Sequence, residues 1–159
     1  MSTTGSGTMS RAGGSAWLTL TDVNARFGAT PVIELTDDNA DGVADAAVTT
    51  AIINSAMVEA EEALARYTIP AAGPWPPAMV DLGARIALAK MFERRRLTDE
   101  KSAAFIRRLD DDLAEIRDGT RGVGGMTLST CYASQPERSD DEEPVFGRQS
   151  DGTSGLDGF

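Results

Sequence analysis

Leu35-Thr36-Asp37-Asp38-Asn39-Ala40-Asp41-Gly42-Val43-Ala44-Asp45 is a dense acidic turn, and a long amphipathic segment follows it, ending Glu61-Glu62-Ala63-Leu64-Ala65-Arg66-Tyr67. Val48, Ile52, Ala56, Ala60, Ala63/Leu64 and Tyr67 recur at three- and four-residue steps, with Thr49, Asn54, Glu59, Glu62 and Arg66 falling largely elsewhere. That spacing predicts a helix with one buried stripe, capped by Asp45 and roughly 33 Å long at about 1.5 Å per residue. Its alanine-rich stripe lets a neighbouring helix approach closely, so the other helices are expected to pack on it.

On the N-terminal side, residues 1–16 are rich in Gly, Ser and Thr and read as a flexible arm, and Trp17, Leu18 and Leu20 are the first apolar anchors. Thr21 reads as the N-cap of a short helix from Asp22 to Phe27 that Gly28 stops. Thr30-Pro31 opens a second short helical turn through Val32, Ile33 and Leu35. On the C-terminal side, Ala71 to Pro77 is a proline-rich connector. Met79, Leu82, Ile86, Ala89 and Phe92 mark a second long helix ending in Arg94-Arg95-Arg96. Thr98 is expected to cap a third, with Phe105, Ile106, Leu109, Leu113 and Ile116 on one side and Gly119 at its end. Beyond it, Met126 to Thr130 has the character of a short strand, and about 40 residues hold too little apolar content to fold alone. The expected architecture is an all-α, small bundle of three long helices with two short N-terminal helices, organised as an arm (1–16), a helical domain (17–119) and an extended C-terminal arm (120–159).

Composition narrows the chemistry. Fifteen Lys and Arg against 25 Asp and Glu give a formal charge of −10 and a pI near 4.4, a surface that repels duplex DNA. There is no histidine, which removes the commonest general base and transition-metal ligand. Cys131 is the one cysteine, so a disulfide framework within the chain is excluded. No apolar run approaches the roughly 20 residues of a membrane span, and the N-terminus lacks a secretory segment. A soluble protein, or a component of an assembly built in the cytosol, is expected.

Asp37, Asn39, Asp41, Gly42 and Asp45 occupy positions 1, 3, 5, 6 and 9 of a calcium loop. Position 12 is Val48, which cannot supply the bidentate carboxylate, so two readings stand: a calcium site with Asp37, Asn39, Asp41 and Asp45 as ligands, or a turn in which Asp41 and Asp45 cap backbone amides. Calcium is the one cofactor the chain suggests. The basic cluster of Lys90, Arg94, Arg95, Arg96, Arg107 and Arg108 is expected to pair with Asp110, Asp111 and Asp112 or with acids on another copy, which makes Arg94–Arg96 and Asp110–Asp112 a candidate subunit interface. Gly122-Val123-Gly124-Gly125 lacks the strand and helix of a nucleotide loop. Glu59, Glu61 and Glu62 lie on a polar helix face as a solvated surface. No catalytic constellation assembles, so an interaction part is expected rather than an enzyme.

Several pieces taken together carry a resemblance: Leu20-Thr21-Asp22-Val23 with Arg26-Phe27-Gly28, Glu34-Leu35-Thr36-Asp37 with Asp41-Gly42-Val43-Ala44-Asp45, Ala65-Arg66-Tyr67 with Pro70, and Val145-Phe146-Gly147-Arg148 near Gly158-Phe159. In this order they resemble the Mu-like bacteriophage and prophage neck family, over about residues 17–119 and the extreme C-terminus. Asn39 stands where the family often has aspartate, which weakens a metal reading. The resemblance implies a head–tail connector adaptor, a helical virion protein that assembles as a homo-oligomeric ring, usually a dodecamer, beneath the portal protein. Its implied partners are the portal, the next neck or tail protein and its own copies, with DNA passing through the lumen without specific binding. Val145, Phe146, Gly147, Arg148, Leu156 and Phe159 would be the partner-binding residues of the C-terminal arm. The alternatives are a head-closure or tail-terminator neck protein and, from another class, a calcium-dependent binding module.

Overall fold

A computed structural model of the chain describes residues 16–129. They form five α-helices: α1 (Leu20–Phe27), α2 (Ala29–Thr36), α3 (Ala46–Ala63), α4 (Pro77–Arg94) and α5 (Glu100–Asp118). The described residues are all-helical and hold no strand, only one isolated bridge between Tyr67 and Leu128.

Helix α1 starts at Leu20, two residues before the expected position, because Thr19 and not Thr21 caps it. The Thr19 hydroxyl accepts from the Asp22 backbone N–H at 3.3 Å, while the Asp22 carboxylate accepts from the Thr19 N–H at 2.8 Å. This reciprocal box needs an acid three residues after the cap. Thr21 has Asn24 there. Gly28, at φ 91°, donates its N–H to the Asn24 carbonyl and passes directly into α2, so a single residue separates the two helices. Pro31 lies within the first turn of α2, where a missing N–H breaks no helical bond.

Asp45 caps α3 as expected, its carboxylate accepting from the Ala47 N–H at 3.1 Å. The helix ends at Ala63, about 27 Å from its start, short of the expected Tyr67. Pro77 opens α4 at the first helical position, where its fixed φ suits the turn. Asp99, rather than Thr98, caps α5: its carboxylate accepts from both the Ser102 N–H (3.1 Å) and the Ser102 hydroxyl (2.7 Å). Gly119 ends α5 in the left-handed region at φ 78°.

The packing centre is α4, not α3. Helix α4 contacts each of the other four, whereas the principal partners of α3 are α4 and α5. Composition accounts for it: Met79, Leu82, Gly83, Ala84, Ile86, Ala87, Leu88, Ala89 and Met91 are all buried, so α4 is apolar around most of its circumference, as a helix enclosed by others must be. The apolar spacing of Met79, Leu82, Ile86, Ala89 and Phe92 locates the helix but does not mark it as the enclosed one. Gly83 allows the closest approach. The Trp17 ring lies over it so tightly that a Cβ there would sit 2.7 Å from a ring carbon, and the indole N–H donates to Glu61 at 3.0 Å, tying the entering chain to both α3 and α4. At the other end of α4, Phe105 packs edge-on against both Phe27 (6.1 Å) and Phe92 (5.8 Å), joining α1, α4 and α5.

The chain does not leave the helical body at Gly119. Residues 120–129 turn back along it: Val123 is buried, the Tyr67 hydroxyl donates to the Arg121 carbonyl at 2.7 Å, and the N–H groups of Thr68 and Ser129 donate to the carbonyls of Thr127 and Arg66, each at 2.8 Å. The boundary expected after residue 119 therefore falls inside the packed region. The strand expected at Met126–Thr130 amounts to the single Tyr67–Leu128 bridge, because this stretch meets one short irregular segment rather than another strand.

Candidate functional site

The acidic turn is built by its own side chains. Asp37 accepts from the Gly42 N–H at 2.8 Å and the Asp41 N–H at 3.3 Å, Asn39 accepts from the Asp41 N–H at 3.1 Å, and Asp41 accepts from the Val43 N–H at 2.8 Å and from the Asn39 amide at 3.0 Å. The oxygens that a cation would need serve the loop backbone. Among the described residues no group of three or more His, Cys, Asp or Glu gathers in the manner of a metal site.

Asp38, at loop position 2, faces out of this network and meets two arginines from the end of α4. Arg94 bonds its carboxylate directly, and Arg95 lies 3.4 Å away. Arg95 also donates to the carbonyls of Leu35 (3.0 Å) and Asp37 (2.5 Å), satisfying groups left open at the end of α2. The Arg94 hydrogen bond is the main reason that the Asp38 carboxyl is held below its ordinary range; desolvation opposes it, and the charges of Arg94 and then Arg95 add to the lowering. The same contact pushes Arg94 up.

A second aspartate between two arginines lies further along the fold. Asp112 of α5 receives Arg85 of α4 on one oxygen and Arg121 on the other, with Glu115 at 3.6 Å from Arg121. Burial pushes the Asp112 carboxyl up, but the hydrogen bond and charge of Arg85, followed by those of Arg121, outweigh it and hold the group below its ordinary range. Beside this pair, a hollow of about 200 Å³ is lined by Arg85, Arg121 and the returning glycine loop.

The cluster read from sequence is thus divided by the structure. Arg94 and Arg95 serve the acidic turn rather than Asp110–Asp112, and Lys90 pairs with Glu59 at 2.7 Å. Asp112 serves the interior. Arg96, Arg107, Arg108, Asp110 and Asp111 are exposed. Val145, Phe146, Gly147, Arg148, Leu156 and Phe159 lie outside the described residues. Sequence reading missed the pairing of Asp38 with Arg94 and Arg95, more than fifty residues away, and that of Asp112 with Arg85 and Arg121 from two different elements. The available signal for Asp38 was that it stands beside Asp37, whose carboxylate serves the loop backbone.

The outer surface has open apolar features. An open apolar groove of about 440 Å³ runs between α3 and α4, walled by Ala47, Val48, Ala51, Ile52 and Ser55 with Lys90 and Arg94 on its rim. Val43, Val58, Leu97 and Leu128 are large apolar side chains exposed to solvent. No helix of the described residues is long and apolar enough to cross a membrane.

No curated protein and no solved structure matches the chain. The family model described as Bacteriophage Mu, Gp36 matches residues 17–139, from the Trp17 anchor through all five helices and past the returning segment. Because that match spans well over half of the sequence, the chain belongs to the Bacteriophage Mu, Gp36 family and is a phage structural or morphogenesis protein.

Proposed function

We propose that this protein is a head–tail connector adaptor, a subunit that assembles with its own copies into a ring beneath the portal of a tailed phage. The observation that carries the reading is the family match across residues 17–139. The geometry supports it: the helical body ties down its own loops with internal ion pairs, yet leaves Val43, Val58, Leu97 and Leu128 exposed. These side chains and the open apolar groove between α3 and α4 give a neighbouring copy surface to cover. The all-helical described region also favours an adaptor over a head-closure or tail-terminator protein, for which more strand was expected.

In this reading the protein works by shape and attachment, without making or breaking bonds. Copies pack side by side, the C-terminal residues Val145 to Phe159 hold the portal or a neighbouring subunit, and the opposite face receives the next neck or tail protein. Many weak contacts around a closed ring reinforce one another through effective concentration. The acidic balance of the chain lets DNA pass the lumen without adhering.

The test is co-expression of the full chain with the portal protein of the same phage, followed by native mass spectrometry. A ring that co-purifies with the portal, and a loss of that association when residues 141–159 are removed with the helical circular dichroism unchanged, is the expected result. A chain that stays monomeric and portal-free at every concentration overturns the reading.

A further inference from the structure

The corner between α4 and α5 holds an arginine in a backbone conformation that favours glycine. Arg96 has φ 51°, and it is one of two non-glycine residues in the left-handed region among the described residues. The hydrogen bonding explains why such a residue is needed there. The Arg96 N–H donates to the Glu93 carbonyl at 2.9 Å and the Leu97 N–H to the Phe92 carbonyl at 3.1 Å, the paired bonds that close a helix through a left-handed residue. Glycine fills that position at no steric cost, whereas an arginine is strained. Local bonding does not explain the side chain: Arg94 and Arg95 are both engaged with the acidic turn, but no ion pair or side-chain hydrogen bond holds the Arg96 guanidinium among the described residues. The next residue, Leu97, is 40% exposed. A strained, open cation thus stands beside an open apolar side chain.

We propose that Arg96 and Leu97 receive the segment Asp140-Asp141-Glu142-Glu143-Pro144-Val145-Phe146 of a neighbouring copy, an inference that rests on the ring reading above. The chemistry is complementary: a carboxylate run meets a guanidinium with two parallel hydrogen bonds, and Val145-Phe146, three to four residues on, covers Leu97. Glu93 and Glu100 are also exposed at this corner, so the attraction is the short-range contact with Arg96 and not a broad field. The reach is sufficient. The described chain ends at Ser129, bonded to Arg66 at the opposite end of the α3–α4 pair, about 27 Å from the corner along α4. Residues 130–139 extended span up to about 35 Å. Copies standing side by side in one orientation bring a neighbour's corner within that span.

The test uses the full chain. Arg96→Gly raises the melting temperature of the unassembled chain by about 3 °C, because strain is relieved, while the concentration needed for ring formation rises about tenfold. A purely structural role raises the melting temperature without raising the concentration needed for ring formation, and that result overturns the contact. In a mixture of ¹⁴N- and ¹⁵N-labelled chains, a photo-crosslinker placed at Leu97 joins the 140–146 peptide across the isotope boundary, and the D140N/D141N/E142Q/E143Q variant loses that product. Rings that form normally with crosslinks confined to one chain, or crosslinks to Asp110 and Asp111 of a neighbour, overturn this contact but leave the ring reading standing. A wild-type chain that never assembles removes the ring reading and this contact together.

Discussion

Helix α4 carries one arginine–aspartate cluster at its middle and another at its C-terminal end, and the two differ in surroundings rather than in chemistry. Asp112 binds Arg85 and Arg121 with only 11% of its side chain exposed, whereas Asp38 binds Arg94 and Arg95 with 39% exposed. Water screens the second and largely not the first. An ion pair in solvent contributes little, but removing one partner of a buried pair strands a charge that the interior cannot solvate. The Asp112 cluster also fastens the returning segment 120–129 to α4 and α5, so its loss is structural in consequence. The Asp38 cluster orients a turn that its own Asx bonds already shape.

The largest effect expected from this contrast is that of Asp112→Ala. Arg85 is left half-enclosed without its carboxylate and Arg121 is released, so stability falls by about 3 kcal/mol, and hydrogen exchange at Thr68 and Ser129 accelerates as the returning segment loosens. Exchange at those amides equal to wild type shows that the bridge at Tyr67, not Asp112, holds the segment. Next is Gly83→Ala, a change of one methyl group at the centre of α4. The new Cβ overlaps the Trp17 ring, costing about 2 kcal/mol; a double variant with Trp17→Leu recovers part of the loss, and a single variant as stable as wild type shows that the ring moves aside freely.

Acid sharpens the comparison. Both aspartates titrate in the folded protein below their unfolded value near 4. Their contribution is therefore complete above about pH 5 and declines as pH falls through the depressed folded values, since the unfolded chain binds protons first. The melting temperature drops with acidification below about pH 4, and Asp112→Asn flattens that drop. Smaller still is Asp38→Ala, whose modest loss at low salt disappears by about 1 M salt, where the Debye length is roughly 3 Å. A loss that persists at high salt means the Arg95 bonds to Leu35 and Asp37 depend on Asp38. Calcium is expected to do least: the loop's oxygens are occupied and Val48 replaces the bidentate ligand, so millimolar calcium leaves the melting curve unmoved.

How far the molecule was legible follows from how local each interaction is. The Asp45 cap, the Gly119 stop and the α5 stripe through Leu109, Leu113 and Ile116 are written within a few residues of where they act. Asp41 caps the Val43 amide in the turn, as its loop reading allowed. Thr21 and Thr98 were the expected caps, but Thr19 and Asp99 cap the helices, because each has its partner three residues ahead, in Asp22 and Ser102. The arginine cluster was less legible. Three adjacent arginines look alike in sequence, yet two are engaged and one is open, because α4 ends at Arg94 and the next residues turn sharply.

The sequence by itself determined that the chain is helical, where its long helices fall, that an acidic turn precedes α3, and, through the order of its motifs, its phage family. Those features depend on periodicity and on bonds that close over three or four residues. Only the tertiary structure decided that α4 is the enclosed helix, that Gly83 exists for Trp17, that Asp112 belongs to Arg85 and Arg121, and that residues 120–129 return to the body. Such pairings join groups separated by tens of residues, and they are chosen by which surfaces exclude water together, a property of the packed chain and not of any one segment.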